Sequence, residues 1–267
     1  MVNQAASYYY KAFKNRFLTA GSGFVPRRSD VMLVSYPKSG NTWLRALLCN
    51  VVKESPSLSD MEVIVPDIYV SSLRSIDRGY EFGGGVRVIK SHEFYRPYYK
   101  RVIYIVRDPR DVMVSYYHHL KKRGLVGESF SRYVDDFVSG NLDGFGSWRQ
   151  NLRSWMAADD LDIIFIRYED LLDSPIQNLS RVLEFIGLDV GMERVKKAIE
   201  CCAIDKLRDK ELSEGNRWSP MKGTRKDINF FRSGRAQQWR DYDPSEINKI
   251  VGGWREEMRE LNYEIEQ

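Results

Sequence analysis

The chain is poor in thiols and imidazoles. Its 267 residues include three cysteines, Cys49, Cys201 and Cys202, and three histidines. An odd set of cysteines, two of them adjacent, builds no disulfide framework and has no metal-ligand spacing, which points to a reducing compartment. Long apolar runs are missing as well, and none approaches the ~20 residues that span a bilayer. Residues 1–17 lack the apolar core of a secretory leader and read as a short basic surface helix rich in tyrosine. The expectation is a soluble, cytoplasmic protein. One-sided charge is also lacking: 41 basic against 37 acidic residues leave +4, which suits a small anionic ligand and is too little for nucleic acid. There is no internal repeat and no low-complexity tract. A hydrophobic content of 43 % over this length supports a sizeable core.

What is present is organised around residues 31–52. Residues 31–34 are a short apolar run with the length of a buried strand. A polar turn follows, and then Trp43, Leu44, Leu47, Leu48, Val51 and Val52 recur at helical spacing. Strand, turn and helix leave the first N–H groups of the helix unpaired and aimed outward, where an anion takes them. Gly40 permits close backbone approach and Lys38 adds a mobile positive charge. The turn therefore reads as a phosphate cradle, with an ordinary strand-to-helix connection as the plainer alternative. It is not the Walker A loop, because its lysine precedes the glycine.

Further strands are expected at 86–89, 102–106 and 163–166. Helices are expected over 112–120, over 129–155 with a break at 141–146, from Pro175 to a stop at Gly187, over 192–202, and from a cap at Asp243 towards Tyr263. Asp108 is a candidate N-cap with Pro109 at the first helical position, and Asp111 a candidate reciprocal cap. Residues 54–85 look irregular and able to cover a pocket. Residues 205–240 look polar, basic and without periodicity. Short Val- and Ile-rich strands alternating with helices predict one α/β domain, a central, mostly parallel sheet flanked by helices in the manner of P-loop nucleotide-binding proteins. Residues 1–30 read as a lead-in ending in Gly21-Ser22-Gly23, and 31–267 as the domain. Ligands in such sheets sit outside the carboxyl ends of the strands, and four strand ends deliver Lys38, His92, Arg107 and Tyr168 to that edge.

His92, in Lys90-Ser91-His92, is a general-base candidate, against a surface histidine at a strand end. Arg107 and Ser115 together suit a phosphate, against a local ion pair of Arg107 with Asp108 or Asp111. Tyr168 either stacks on a base or packs in the core. Glu169 and Asp170 read as cap residues; a metal site with Asp173 fits no oxygen-ligand loop. Arg110 and Asp111 read as structural, and His118 and His119 as helix-surface residues without a role. Residues 229–239 are basic and aromatic, and suit a loop that closes over a nucleotide through Arg232 and Gly234.

Taken in order, these segments resemble the cytosolic-type sulfotransferases between about Val31 and Tyr242. Tyr36 through Trp43 resembles that family's 5′-phosphosulfate loop, and Lys90-Ser91-His92 its strand end with the catalytic histidine. Arg107 through His119 resembles its 3′-phosphate strand and helix, Arg167-Tyr168-Glu169-Asp170 its adenine-side segment, and Phe230 through Trp239 its late phosphate loop. The resemblance implies 3′-phosphoadenosine 5′-phosphosulfate (PAPS) as donor, its 3′,5′-bisphosphate (PAP) as product, no metal, and a small-molecule acceptor with a hydroxyl or amine. It implies His92, Lys38, Lys90 and Ser115 as catalytic, and Lys38, Ser39, Gly40, Asn41, Thr42, Trp43, Arg107, Ser115, Tyr168, Arg232, Ser233 and Gly234 as donor-binding. The implied reaction is in-line, with His92 as base and Lys38 and the cradle stabilising the leaving phosphate.

Three positions depart from the family pattern. Ser233 replaces a second basic residue, with Arg235 as a possible substitute. Gln237-Gln238 replaces Gly-Asp, and Glu93-Phe94 replaces Leu-Pro after the histidine. Glu93 beside the base hints at a polar or cationic acceptor, while Tyr69, Phe94, Tyr95, Tyr98 and Tyr99 suggest an aromatic acceptor pocket. The competing readings are a P-loop small-molecule kinase, which needs a lysine after the glycine, and a non-catalytic nucleotide-binding relative, against which Lys38 and His92 both speak. No match to the family's dimerisation motif is visible, which leaves the oligomeric state open.

Overall fold

The structure is a computed structural model and describes residues 24–127 and 129–265. The expected N-terminal surface helix and the Gly21-Ser22-Gly23 joint lie outside the described residues. Strand β1 (Val31–Ser35) leads through the turn into helix α1 (Asn41–Val52). Two short helices follow, α2 (Met61–Ile64) and α3 (Leu73–Asp77), before β2 (Val88–Ser91) and β3 (Arg101–Val106). Helices α4 (Pro109–Lys122), α5 (Phe130–Ser139) and α6 (Trp148–Met156) precede β4 (Asp162–Arg167). The chain continues through α7 (Tyr168–Asp173), α8 (Pro175–Ile186), α9 (Met192–Cys201) and α10 (Ile204–Glu214), and α11 (Pro244–Glu260) closes it.

The sheet order is β2-β1-β3-β4 and every pairing is parallel. β1 is buried along its whole length, which is why it reads as a continuous apolar run instead of an alternating one. Val31 and Leu33 face one core, shared with Leu44, Leu47 and Leu48 of α1 and Leu179 and Val182 of α8. Met32 and Val34 face the other, shared with Val112 of α4, Phe137 of α5, Trp148 and Trp155 of α6 and Trp254 of α11. Each core is thus closed by helices reached from successive strands, and the strand ends are left at one edge.

Several expectations shift. β2 lies two residues later than the apolar pattern suggested, so Lys90 and Ser91 belong to the strand, paired with Leu33 and Val34 of β1. The pairing is anchored ahead of it by Arg87, whose guanidinium meets the Asp30 carboxylate at 2.5 Å with both side chains almost fully buried. Residues 54–85 are not structureless: α2 and α3 lie there, and α2 is tied to α1 by Arg45, which donates to the carbonyls of Met61 (2.8 Å) and Val65 (2.7 Å). The polar tract contains α10, hidden because Leu207 is its only buried apolar residue. Asp108 caps α4 as expected, accepting from Arg110 N at 2.9 Å. Asp111 does not complete a reciprocal cap. Its carboxylate accepts instead from the main-chain N–H groups of Gln237 (2.8 Å) and Trp239 (3.2 Å), holding the late loop against α4.

Replacing Arg87 with methionine leaves the Asp30 carboxylate buried without its counter-charge, bonded still to the Arg27 N–H at 2.7 Å. The expected loss is ~3–5 kcal/mol of unfolding free energy, read from denaturant midpoints; a change within error would show that Asp30 finds another partner.

Candidate active site

The turn after β1 is built from two residues with positive φ, Lys38 at 71° and Gly40 at 106°. The N–H groups of Gly40, Asn41 and Thr42 make no hydrogen bond among the described residues. They form the open mouth of α1 that the sequence implied. A Cβ at Gly40 would sit 2.4 Å from Cδ2 of Tyr168, so glycine is required by space as well as by φ. Asn41 points inward, its amide donating to the Leu33 carbonyl (3.2 Å) and Ser35 Oγ (3.3 Å). Trp43 also points inward, donating to the Cys202 carbonyl at 3.2 Å and meeting Tyr168 edge-on. Thr42 is half-buried at the mouth. Ser39 Oγ is buried without a hydrogen-bond partner.

Beside this mouth lies a small cavity lined by Lys38, Ser115, His118, His119, Lys122, Asn229, Phe230 and Arg232. No carboxylate is among them. Lys38 Nζ lies 4.6 Å from the centre of the Phe230 ring, so cradle and late loop touch through a cation–π contact. Arg107 ties three elements together. It donates to the carbonyls of Lys38 (3.5 Å) and Arg235 (3.2 Å), approaches Asp111 at 3.5 Å, and stacks on Tyr168 at 4.2 Å. Its Nε is buried with no partner, as is Ser233 Oγ in the late loop. Burial, followed by the charges of Arg123, Arg107, Lys90 and Arg232, pulls the Lys38 ammonium down to about 7. Such a cluster has a net demand for anionic oxygen.

His92 stands just past β2. Its Nδ1–H donates to the Ser35 carbonyl at 2.7 Å, an acceptor-only group, so the neutral ring carries its proton on Nδ1 and its lone pair on Nε2. Tyr69 stacks on the imidazole at 6.1 Å, its hydroxyl accepts from His92 N at 3.2 Å, and Phe145 meets the ring edge-on at 5.5 Å. Burial and then the Lys90 charge push the imidazole down to about 3, which keeps it neutral through the physiological range. Lys90 itself is committed: its ammonium pairs with Asp67 at 2.5 Å.

The structure thus brings Lys38, Ser115 and Arg232 to one cavity, with Arg107 and Tyr168 against the cradle and His92 outside that lining, bonded to Ser35 at the end of β1. Gly234, at φ 65°, packs on Ile204, and Arg232 hydrogen-bonds Gln238. Some readings need correction. Glu93 does not face an acceptor; it is buried, accepting from Tyr99 OH (2.5 Å) and Arg96 (3.0 Å). Arg235 does not stand in for the basic residue missing at Ser233, because its guanidinium turns to Asp241 at 3.0 Å on the surface. His118 and His119 are not plain surface residues. Both line the cavity, His118 bonded to Tyr242 OH at 2.7 Å and His119 Nε2 accepting from Arg123 at 3.1 Å. Of the proposed aromatic pocket, Tyr69 is at the base, whereas Tyr99 is in the core and Tyr95 packs on Trp155. Sequence reasoning missed Asp67, Phe145 and Lys122; only the basic, aromatic composition around Phe230 hinted that more cations were near.

An anion mouth, a cation cavity and a neutral base on one sheet edge define a group-transfer enzyme of the α/β phosphate-cradle class. Residues 28–261 match the sulfotransferase domain family, and the chain belongs to it. It is 25 % identical over 241 residues to a 3-alpha-hydroxysteroid sulfotransferase of Cavia porcellus, covering 82 % of this chain and 79 % of that one. To a flavonol sulfotransferase-like protein of Flaveria bidentis it is 27 % identical over 258 residues, covering 88 % and 82 %. Its fold is that of a mouse sulfotransferase solved with PAP, at a TM-score of 0.71 and 22 % identity over 91 % of this chain and 88 % of the other. It also matches retinol dehydratase solved with androsterone and PAP, at 0.68 and 18 % over 91 % and 83 %.

Gly40→Ala is expected to displace Tyr168 and strain the turn, at a combined cost on the order of 1–3 kcal/mol. Thermal denaturation measures it. The Gly40→Ala/Tyr168→Ala double variant should lose less than the sum of the single changes; strict additivity would mean the ring and the turn are independent.

Proposed function

We propose that this chain moves a sulfuryl group from PAPS to the hydroxyl, or amine, of a small-molecule acceptor, with residues 31–267 as the catalytic domain. The observation that carries the reading is the pairing of an open helix mouth and its cation cavity with an imidazole whose Nδ1 is spent on Ser35, leaving Nε2 free to take a proton. The relatives support the donor, since two of the matched structures hold PAP, and they support the acceptor class, being named for steroids and flavonols. The orphaned Ser39 Oγ, Arg107 Nε and Ser233 Oγ are the polar atoms that an oxygen-rich nucleotide would satisfy. The donor supplies an activated sulfuryl group when bound.

His92 Nε2 accepts the acceptor's proton, and the Ser35 carbonyl holds the ring and stabilises the charge that the imidazole gains. Lys38 and the N–H groups of Gly40, Asn41 and Thr42 receive negative charge as it builds on the leaving phosphate. Ser115 assists at the same cavity. Arg107, Ser115, Arg232 and the backbone near Ser233 and Gly234 hold the 3′-phosphate, and Tyr168 and Trp43 flank the base side. Lys90 assists near the transferring group, its charge balanced by Asp67. Three unpaired cysteines support a cytoplasmic setting.

Incubation with labelled PAPS and a panel of phenols, alcohols and amines tests the reading. His92→Gln should lose on the order of hundredfold or more in kcat; undiminished transfer removes His92 as the base. A second measurement concerns protons. Lys38 titrates at about 7 when free, and a neighbouring phosphate raises it. Binding of PAP at about pH 8 should therefore take up close to one proton, whereas at about pH 6, where Lys38 is already charged and the phosphates are partly protonated, it should take up none and release protons instead. Calorimetry in buffers of different ionisation enthalpy reads this, and heats independent of buffer at the higher pH would place Lys38 away from the anion.

A further inference from the structure

His92 lies where the chain has left the sheet. β2 ends at Ser91, so the carbonyls of His92 and Glu93 have no strand to accept from, yet they are covered by α6. Asn151, on α6 and without solvent exposure, meets them: its Nδ2 donates to His92 O at 3.1 Å and to Glu93 O at 3.3 Å. One turn later on the same face, Trp155 Nε1 donates to Glu93 O at 3.0 Å. Both carbonyls can only accept, which fixes the Asn151 amide with nitrogen towards them and oxygen away. That oxygen accepts from the hydroxyl of Tyr104 at 2.8 Å. Tyr104 sits in the middle of β3, in register with Val34 and Phe165, and is 1 % exposed. Its hydroxyl also lies against the main chain of Tyr36, where the cradle turn begins.

We infer that Tyr104 and Asn151 are positioning residues for His92, an inference that rests on the reading of His92 as the base. The imidazole is aimed by β1 through Ser35, and its peptide is held by β3 through Tyr104 and Asn151. Two adjacent strands therefore locate one ring by independent bonds. Neither Tyr104 nor Asn151 lines the cation cavity. Without the Tyr104 hydroxyl the Asn151 amide loses the anchor on its oxygen and can rotate. A half-turn would set that oxygen against two carbonyl oxygens. The His92 peptide is then free to drift by a fraction of an ångström, enough to degrade proton transfer.

The test uses the full chain with Tyr104→Phe, Asn151→Ala and His92→Gln, each checked for folding by circular dichroism. Tyr104→Phe keeps the ring in the core and removes one oxygen, so it serves where Asn151→Ala fails to fold. The expected result is a fall in kcat of about tenfold to a hundredfold in Tyr104→Phe, with PAP affinity unchanged. NMR of isotope-labelled histidine should show the His92 Nδ1–H signal weakened or exchanging in Tyr104→Phe. Unchanged kcat together with an unchanged His92 signal in folded Tyr104→Phe overturns the positioning role. A fall in PAP affinity matching the fall in kcat overturns it too, since that marks general loosening. Full transfer by His92→Gln instead defeats the base assignment; the NMR signal then still decides whether Tyr104 holds the ring.

Discussion

The carbonyl of Ser35 is the hinge of the chemistry. It belongs to the last residue of β1, where the chain turns away into the cradle, and His92, just past the end of the neighbouring strand β2, fills it at 2.7 Å. A strand-end carbonyl needs a donor, and an imidazole N–H meets that need at low entropic cost because Ser35 is held by the sheet and His92 directly follows β2. The same bond dictates the tautomer and presents the basic nitrogen on the other side. It also sets the distance between donor and acceptor halves within one residue of the turn that carries Lys38.

Charge is distributed unevenly around that bond. On the donor side the acids stand behind the loops and the bases face inward. Asp111 and Glu211 spend their oxygens on backbone N–H groups of the late loop, Glu211 on Phe230 (2.6 Å) and Phe231 (2.9 Å). Lys122 keeps Glu211 at 3.6 Å, while Lys38 is buried among the charges of Arg123, Arg107, Lys90 and Arg232; burial first, and those charges after it, bring it to about 7. On the acceptor side Asp67 neutralises Lys90, so the base sits in a nearly balanced, aromatic surrounding of Tyr69 and Phe145. A site that gathers more positive than negative charge gives up stability for anion affinity.

Much of this was legible in the residues. The cradle was, because a buried strand, a glycine-bearing polar turn and an amphipathic helix are each local patterns, and each formed where expected. The sheet edge that collects His92, Arg107 and Tyr168 was too, because parallel connectivity sends every strand end the same way. Glu93 was misjudged because sequence proximity to the base says nothing about which side of the chain a side chain leaves. His118 and His119 were dismissed because a helix position has no known neighbour until the late loop packs on it. The helix over Ile204–Glu214 was missed because so little of it is apolar.

By itself the sequence determined the α/β class, the cradle and the family to which the chain belongs, since those rest on short-range spacing and on motifs read in order. Only the tertiary structure decided which charges balance. The Asp67 carboxylate on Lys90, the Ser35 carbonyl on His92 and the Tyr104–Asn151 pair behind it join residues separated by 23, 57 and 47 positions. Electrostatics and hydrogen bonding act through space, over a few ångströms, and the order of residues along a chain carries no such distance until the fold supplies it.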